Sequence, residues 1–281
     1  MASELKTRVI TGFVFGVVLI GGILLSEYLL AAIAIFVLIV SIYEYSKMLK
    51  VINIHPNQFL IYTGSISVFS GIVAFTIAGT GVGASIDDVK LAAVGLISFL
   101  CILSIWELFR AKERAIENVG STILGIAYLA LPMGLLVASG VSSSGDYSPW
   151  QVLFFFFFMW ASDTGAYFTG KAFGKTKLLE RLSPKKTVEG FIGGMLTAML
   201  IGYFASLVLG FGDVWAWLLI GASMSITGTA GDLFESMLKR QTGVKDSGTI
   251  LPGHGGFLDR FDSTFISAPV YWILLNFLTA S

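Results

Sequence analysis

Between Gly231 and Asp262 the chain reads GDLFESMLKRQTGVKDSGTILPGHGGFLDRFD, and these residues hold four Asp, one Glu, two Lys, two Arg and one of the two histidines. The whole chain is 55% hydrophobic and only 13% charged, so this crowding of charge calls for a cause. On a helix, Asp232, Glu235, Ser236 and Lys239 stand at i, i+3, i+4 and i+7 and share one stripe. Pro252 and Gly253 then make a turn, and Gly255-Gly256 lets backbone come close to a ligand. Beyond it Asp259 and Asp262 bracket Arg260, as a short helical turn would present them. Hard cations such as Mg²⁺ take carboxylate oxygens and complete their shell with phosphate and water. Asp232 and Asp259 make the best metal pair, with Asp163, Asp246 and Asp262 as further candidates. The alternative is that these acids only neutralise Lys239, Arg240, Lys245 and Arg260; it explains charge balance but not the crowding.

A second polar stretch, GKAFGKTKLLERLSPKKTVEG over residues 170–190, sets six basic residues against Glu180 and Glu189. That balance suits phosphate. Ser183-Pro184-Lys185-Lys186-Thr187 is a stiff cationic turn just before a helix start, which itself attracts anions; Lys175 and Lys177 suit anionic lipid heads as well. Two near-matches to a nucleotide-binding P-loop fail. Gly165 to Lys171 ends in Ala172 where Ser or Thr is needed, Gly170 to Thr176 is one residue short, and neither follows a strand. Asp163, in WASDTGAYFTGK, lies within an apolar span, where a carboxylate is costly and by default faces a wet cavity, a metal or a cation. His254 suits acid-base chemistry or a turn hydrogen bond equally well, and His55 reads as surface.

The elements that must position these groups are membrane helices. Mean hydropathy is +0.83 over 281 residues, far too apolar for a water-soluble domain. Nine segments approach the length needed to cross a bilayer: 9–25, 28–43, 59–79, 91–107, 119–139, 150–169, 188–211, 214–235 and 264–280. The first reads as a retained helix rather than a cleaved signal. In this nine-span arrangement 17 of the 18 basic residues fall on one side, with only Lys90 on the other. The positive-inside rule makes that side cytoplasmic, with the N-terminus inside and the C-terminus outside. The expected fold is all-α and polytopic, one membrane domain with N-terminal helices over 1–145, catalytic helices over 146–281, and cytoplasmic loops at 170–187 and 236–263. Zero net charge supplies no global field for nucleic acid. Cys101 reads as a small core residue, Phe154 to Phe158 as lipid-facing or packing surface, and Gly12 with Gly16 as a GxxxG able to join helices within a chain or in a homodimer.

Ser236-x-x-Lys239-Arg240, Lys245-Asp246 and Pro252-Gly253-His254-Gly255-Gly256-Phe257-x-Asp259-Arg260-Phe261-Asp262 together resemble the signature of the phosphatidate cytidylyltransferases, also called CDP-diacylglycerol synthases. Asp163-x-Gly165-Ala166-Tyr167, Gly170 and Ser183 to Gly190 are similar to the same family, and the resemblance runs over about residues 155–265. It implies an Mg²⁺-dependent reaction of CTP with phosphatidic acid to give CDP-diacylglycerol and pyrophosphate, and a second, monovalent cation such as K⁺. Metal at Asp232 and Asp259 would bridge CTP phosphates, with Lys185, Lys186, Lys239, Arg240 and Arg260 neutralising the remaining charge. Asp163, Lys171, Ser183, Pro184, Thr187, Glu189, Ser236, His254, Gly255 and Gly256 complete the substrate-binding candidates. The implied location is a bacterial inner membrane among its lipids, with the site facing the cytoplasm. The rivals are a CTP-dependent transferase or kinase for another lipid and a cation-coupled transporter using Asp163 and Asp232.

Overall fold

The computed structural model describes residues 2–77, 86–110, 113–142, 145–251, 253 and 255–278. Among these lie nine helices: α1 (Ala2–Leu25), α2 (Glu27–Lys50), α3 (Gln58–Ile77), α4 (Ile86–Arg110), α5 (Ala115–Ala138), α6 (Pro149–Phe173), α7 (Val188–Leu209), α8 (Val214–Thr242) and α9 (Leu258–Leu278). Eight are long and apolar enough to cross a membrane, and in α1 the apolar stretch is Ile10–Leu25. The chain is an all-α polytopic membrane protein, as its hydropathy predicts. The expected spans stop short of two ends that matter for function, because polar residues extend the helices past the apolar windows. α8 continues through Lys239 and Arg240 to Thr242, and α9 begins at Leu258 rather than 264.

One departure from pure helix lies between α6 and α7. Strands β1 (Lys177–Leu179) and β2 (Ser183–Thr187) pair antiparallel, with Lys177 opposite Thr187 and Leu179 opposite Ser183. The sequence reads there as a loop, since a hairpin this short carries no alternation of apolar residues.

Small residues bring α6 and α7 together. A Cβ on Gly194 would lie 2.7 Å from the Ser162 carbonyl, and the Thr197 hydroxyl donates to the Ala161 carbonyl at 2.9 Å. Such close backbone approach is how helices pack where lipid removes the hydrophobic drive between them. The core between helices holds Trp217, Tyr271, Phe155, Phe158 and Phe265, all fully buried. Phe154 to Phe156 and Phe158 are therefore packing surface rather than lipid-facing. Phe109, Leu196, Leu207 and Trp215 stand exposed on the outside, as the face of a bundle in hydrocarbon requires. Two expectations change. Cys101 is exposed on α4, not in the core, and a Cβ added at Gly16 would meet nothing within 4 Å, so Gly16 is not at a close helix crossing among the described residues.

The described residues of the connections at 51–57, 113–114, 174–187, 243–251 and 255–257 gather at one end of the bundle. Arg110 on α4 donates to the His55 carbonyl at 3.0 Å, Arg114 to the Ile52 carbonyl at 2.6 Å, and Glu44 on α2 accepts the Leu258 amide at 2.8 Å. α5 contains a single π turn, Ile126–Ala130, which sets the Tyr128 ring against Phe234 of α8 and Phe265 of α9 at 4.9 and 5.2 Å.

Candidate active site

The site begins with a glycine. A Cβ on Gly231 of α8 would lie 2.6 Å from the Asp262 carbonyl and 2.8 Å from Ser263 Cα, so only glycine lets α9 come this close. That approach brings Asp232 and Glu235 from α8 beside Asp262 from α9, with one carboxylate oxygen from each within 4.8 Å of the others. Three oxygen donors at this spacing suit a hard divalent cation. The Ser236 hydroxyl donates to Asp232 Oδ1 at 3.3 Å and steadies that carboxylate.

Asp259 belongs to the neighbouring turn instead. Its Oδ1 accepts from Lys239 Nζ at 2.8 Å, and its Oδ2 accepts the Gly256 amide at 2.9 Å and the Ser247 hydroxyl at 2.9 Å. Lys239 completes a bridge by pairing with Glu235 as well. Lys239 thus joins Asp259 to the acid trio, and in this arrangement its ammonium is held by two carboxylates rather than offered to a phosphate. The structure groups Asp232 with Glu235 and Asp262, where spacing along the chain suggests Asp232 with Asp259. The reason is that α9 starts at Leu258, which turns Asp259 toward its own helix start and Asp262 toward α8.

The hairpin supplies the other half. Lys186 of β2 reaches across to form an ion pair with Asp232. Asp163 on α6 is exposed and within electrostatic reach of both Lys186 and Asp232. The hairpin is held by its own charges: Lys177 donates to the Pro184 carbonyl at 2.6 Å, and Glu189 accepts the amides of Lys175 and Thr176, each at 3.1 Å. The Thr187 hydroxyl accepts the Gly190 amide at 3.2 Å and caps α7. Glu189 and Thr187 therefore shape the loop that carries Lys186. Ser183 and Pro184 lie within β2.

Lys185, Arg240, Arg260 and Asp246 are exposed around this region, and Asp246 lies outside the acid trio. Lys171 stands over the Tyr167 ring at 5.9 Å. Gly255 has φ +79 and its neighbour Gly256 is buried, which fits a close backbone turn. Pro252 and His254 lie outside the described residues. Sequence reasoning reads one residue of the site in part and misses another. Glu235, which the helical stripe marks but does not single out as a metal candidate, takes its place in the acid trio. Glu44 is fully buried against the glycine loop, although it sits past the edge of an apolar span where an acid reads as a solvated flank.

A sequence profile of the cytidylyltransferase family matches residues 6–278. The chain belongs to that family. It is 35% identical over 279 residues to the phosphatidate cytidylyltransferase of Staphylococcus saprophyticus, covering 98% of this chain and 99% of that one. The corresponding enzyme of Staphylococcus haemolyticus is 33% identical over 280 residues, with 96% and 99% covered, and that of Staphylococcus aureus 31% over 273, with 96% and 99%. The match to this family extends through the N-terminal helices, well beyond residues 155–265 that carry the signature. The acid trio and Lys186 lie within the residues that this family match covers.

Proposed function

We propose that this chain transfers the cytidylyl group of CTP to phosphatidic acid, giving CDP-diacylglycerol and pyrophosphate in phospholipid synthesis. The observation that carries this reading is the meeting of Asp232, Glu235 and Asp262 with Lys186 at one end of an apolar bundle. There a lipid phosphate arriving along the bilayer and a nucleotide arriving from water can reach the same groups. The names of the relatives supply the substrate pair.

An oxygen of the phosphatidate phosphate attacks the α-phosphorus of CTP, the bond from that phosphorus to the bridging oxygen breaks, and pyrophosphate leaves with the electron pair. The attacking phosphate is already ionised, so the obstacle is bringing two polyanions together rather than removing a proton. Asp232 and Asp262, with Glu235 beside them, would hold Mg²⁺, which supplies charge stabilisation to the phosphates and the departing pyrophosphate. Lys186 leaves Asp232 to meet phosphate, and Lys185, Arg240 and Arg260 add positive charge around the entry. Asp259 and Lys239 keep Glu235 in place. Asp163, within electrostatic reach of Lys186, would favour positions of that lysine on its own side of the site. A monovalent cation such as K⁺ is a further expectation, tested by activity in Na⁺, K⁺ and choline salts.

The site faces the cytoplasm of a bacterial inner membrane, supported by the gathering of the basic connections at its end of the bundle. The same one-sided placement disfavours a transporter, which needs access from both faces. In detergent, CTP labelled at the α-phosphate should pass its label to the lipid with stoichiometric pyrophosphate release that depends on Mg²⁺. Label entering from the γ-phosphate would instead identify a kinase.

A further inference from the structure

Glu44 is a buried carboxylate in the N-terminal half of the chain, on a helix that the site chemistry does not otherwise use. It is fully buried, which is expensive for a charge unless it is hydrogen-bonded. Its Oε2 accepts the Leu258 amide at 2.8 Å and faces the Ser247 hydroxyl at 3.4 Å, while its Oε1 has no hydrogen-bond partner. A Cβ on Gly256 would fall 2.6 Å from Oε1, and one on Gly248 would overlap the same carboxylate, so two glycines make room for it.

The contacts continue from there in one direction. Ser247 gives its hydroxyl to Asp259 at 2.9 Å and its amide to the same oxygen at 3.0 Å. Asp259 accepts the Gly256 amide and Lys239, and Lys239 pairs with Glu235 of the acid trio. Glu44 and Asp259 thus divide the free amides at the start of α9, Leu258 to one and Gly256 to the other, with Ser247 between them. We infer that Glu44 is a positioning residue for the cation site: it fixes the glycine loop and the first turn of α9, and so sets Asp259, Lys239 and Glu235 in register with Asp232 and Asp262. This rests on the reading of the trio as the cation site of a cytidylyltransferase.

The test uses the full chain in detergent, with Glu44→Ala and Glu44→Gln, and reads Mn²⁺ affinity by electron paramagnetic resonance without substrate, alongside turnover and the Mg²⁺ concentration for half-activation. In Glu44→Ala that elutes as a single species, Mn²⁺ should bind about tenfold more weakly and half-activation should need correspondingly more Mg²⁺, the scale seen when groups supporting metal ligands are removed. Glu44→Gln should recover most of both, because its amide oxygen still accepts the Leu258 amide. Folded Glu44→Ala with wild-type Mn²⁺ affinity and Mg²⁺ dependence overturns the proposal. If Glu44→Ala does not fold, Ser247→Ala takes its place with the same readout, and unchanged Mn²⁺ affinity there is equally fatal. Wild-type protein that binds Mn²⁺ but transfers no cytidylyl group refutes the proposed function while the Mn²⁺ comparison still decides the role of Glu44. Wild-type protein that binds no Mn²⁺ refutes the role of Glu44.

Discussion

Lys186 on β2 and Asp232 on α8 form the ion pair that closes the space between the hairpin and the acid trio. Both side chains are about one-third exposed, 29% and 32%, so the pair itself adds little stability. Its consequence is competition, since the lysine sits on an oxygen that a divalent ion would use. Lys186→Ala should therefore bind Mn²⁺ several-fold more tightly without substrate, yet lose about 10²-fold in turnover because a charge on the reacting phosphates is gone. Paired metal titration and pyrophosphate release check the two signs. Weaker Mn²⁺ binding in Lys186→Ala would show that the lysine supports the cation rather than competing with it.

Asp259 and Asp262 lie one turn apart and should fail in different ways. Asp259 is tied to Lys239 with side chains only 7% and 17% exposed, so Asp259→Asn leaves a largely buried ammonium underpaired at a cost of about 3–5 kcal/mol. Its melting temperature in detergent should fall sharply along with activity. Asp262→Asn should keep the fold, because among the described residues its carboxylate accepts a hydrogen bond from the adjacent Ser263 amide, and should instead lose about 10²-fold or more in turnover with a raised Mg²⁺ requirement. Thermal melts and Mg²⁺ titrations of the two variants side by side separate the cases.

Asn118 gives a control away from the trio. It is fully buried on α5, accepts the His55 amide at 2.7 Å, and donates to Glu107 of α4 at 3.0 Å and to the Glu113 carbonyl at 3.1 Å. It thereby clasps the connection at 51–57 to residues 113–114. Asn118→Ala strands several polar groups at about 1–3 kcal/mol each, so the melting temperature should drop while turnover per folded molecule stays at the wild-type level.

The helices were legible in the sequence because hydropathy over a bilayer thickness is a strong signal, and the charge crowding at 231–262 stood out against it. The helical stripe Asp232, Glu235, Ser236 and Lys239 is likewise readable, since α8 runs on past its apolar window. What spacing does not contain is which acid meets which across helices. Asp259 and Asp262 look equivalent along the chain, and only the start of α9 at Leu258 and the approach allowed by Gly231 tell them apart. Glu44 was hidden for the same reason: its partners are 203 and 214 residues away. The hairpin leaves no mark in the sequence because β1 and β2 have only three and five residues, too few for a period-two pattern.

Gly231 makes the last case, because its value lies wholly in the backbone it admits. The atoms a Cβ would meet, the Asp262 carbonyl and Ser263 Cα, are themselves backbone, so no side chain can swing aside and the helices must part. Gly231→Ala should cost about 1–3 kcal/mol in stability through overpacking. It should also raise the Mg²⁺ needed for half-activation, because Asp262 moves away from Asp232 and Glu235. Gly16→Ala meets nothing within 4 Å and replaces a glycine inside a helix, so it should leave activity unchanged and hold or raise stability by up to about 1 kcal/mol. Melting curves and Mg²⁺ titrations of both variants test whether the close crossing of α8 and α9 assembles the acid trio. Unchanged Mg²⁺ dependence in Gly231→Ala would mean that the trio can form without that crossing.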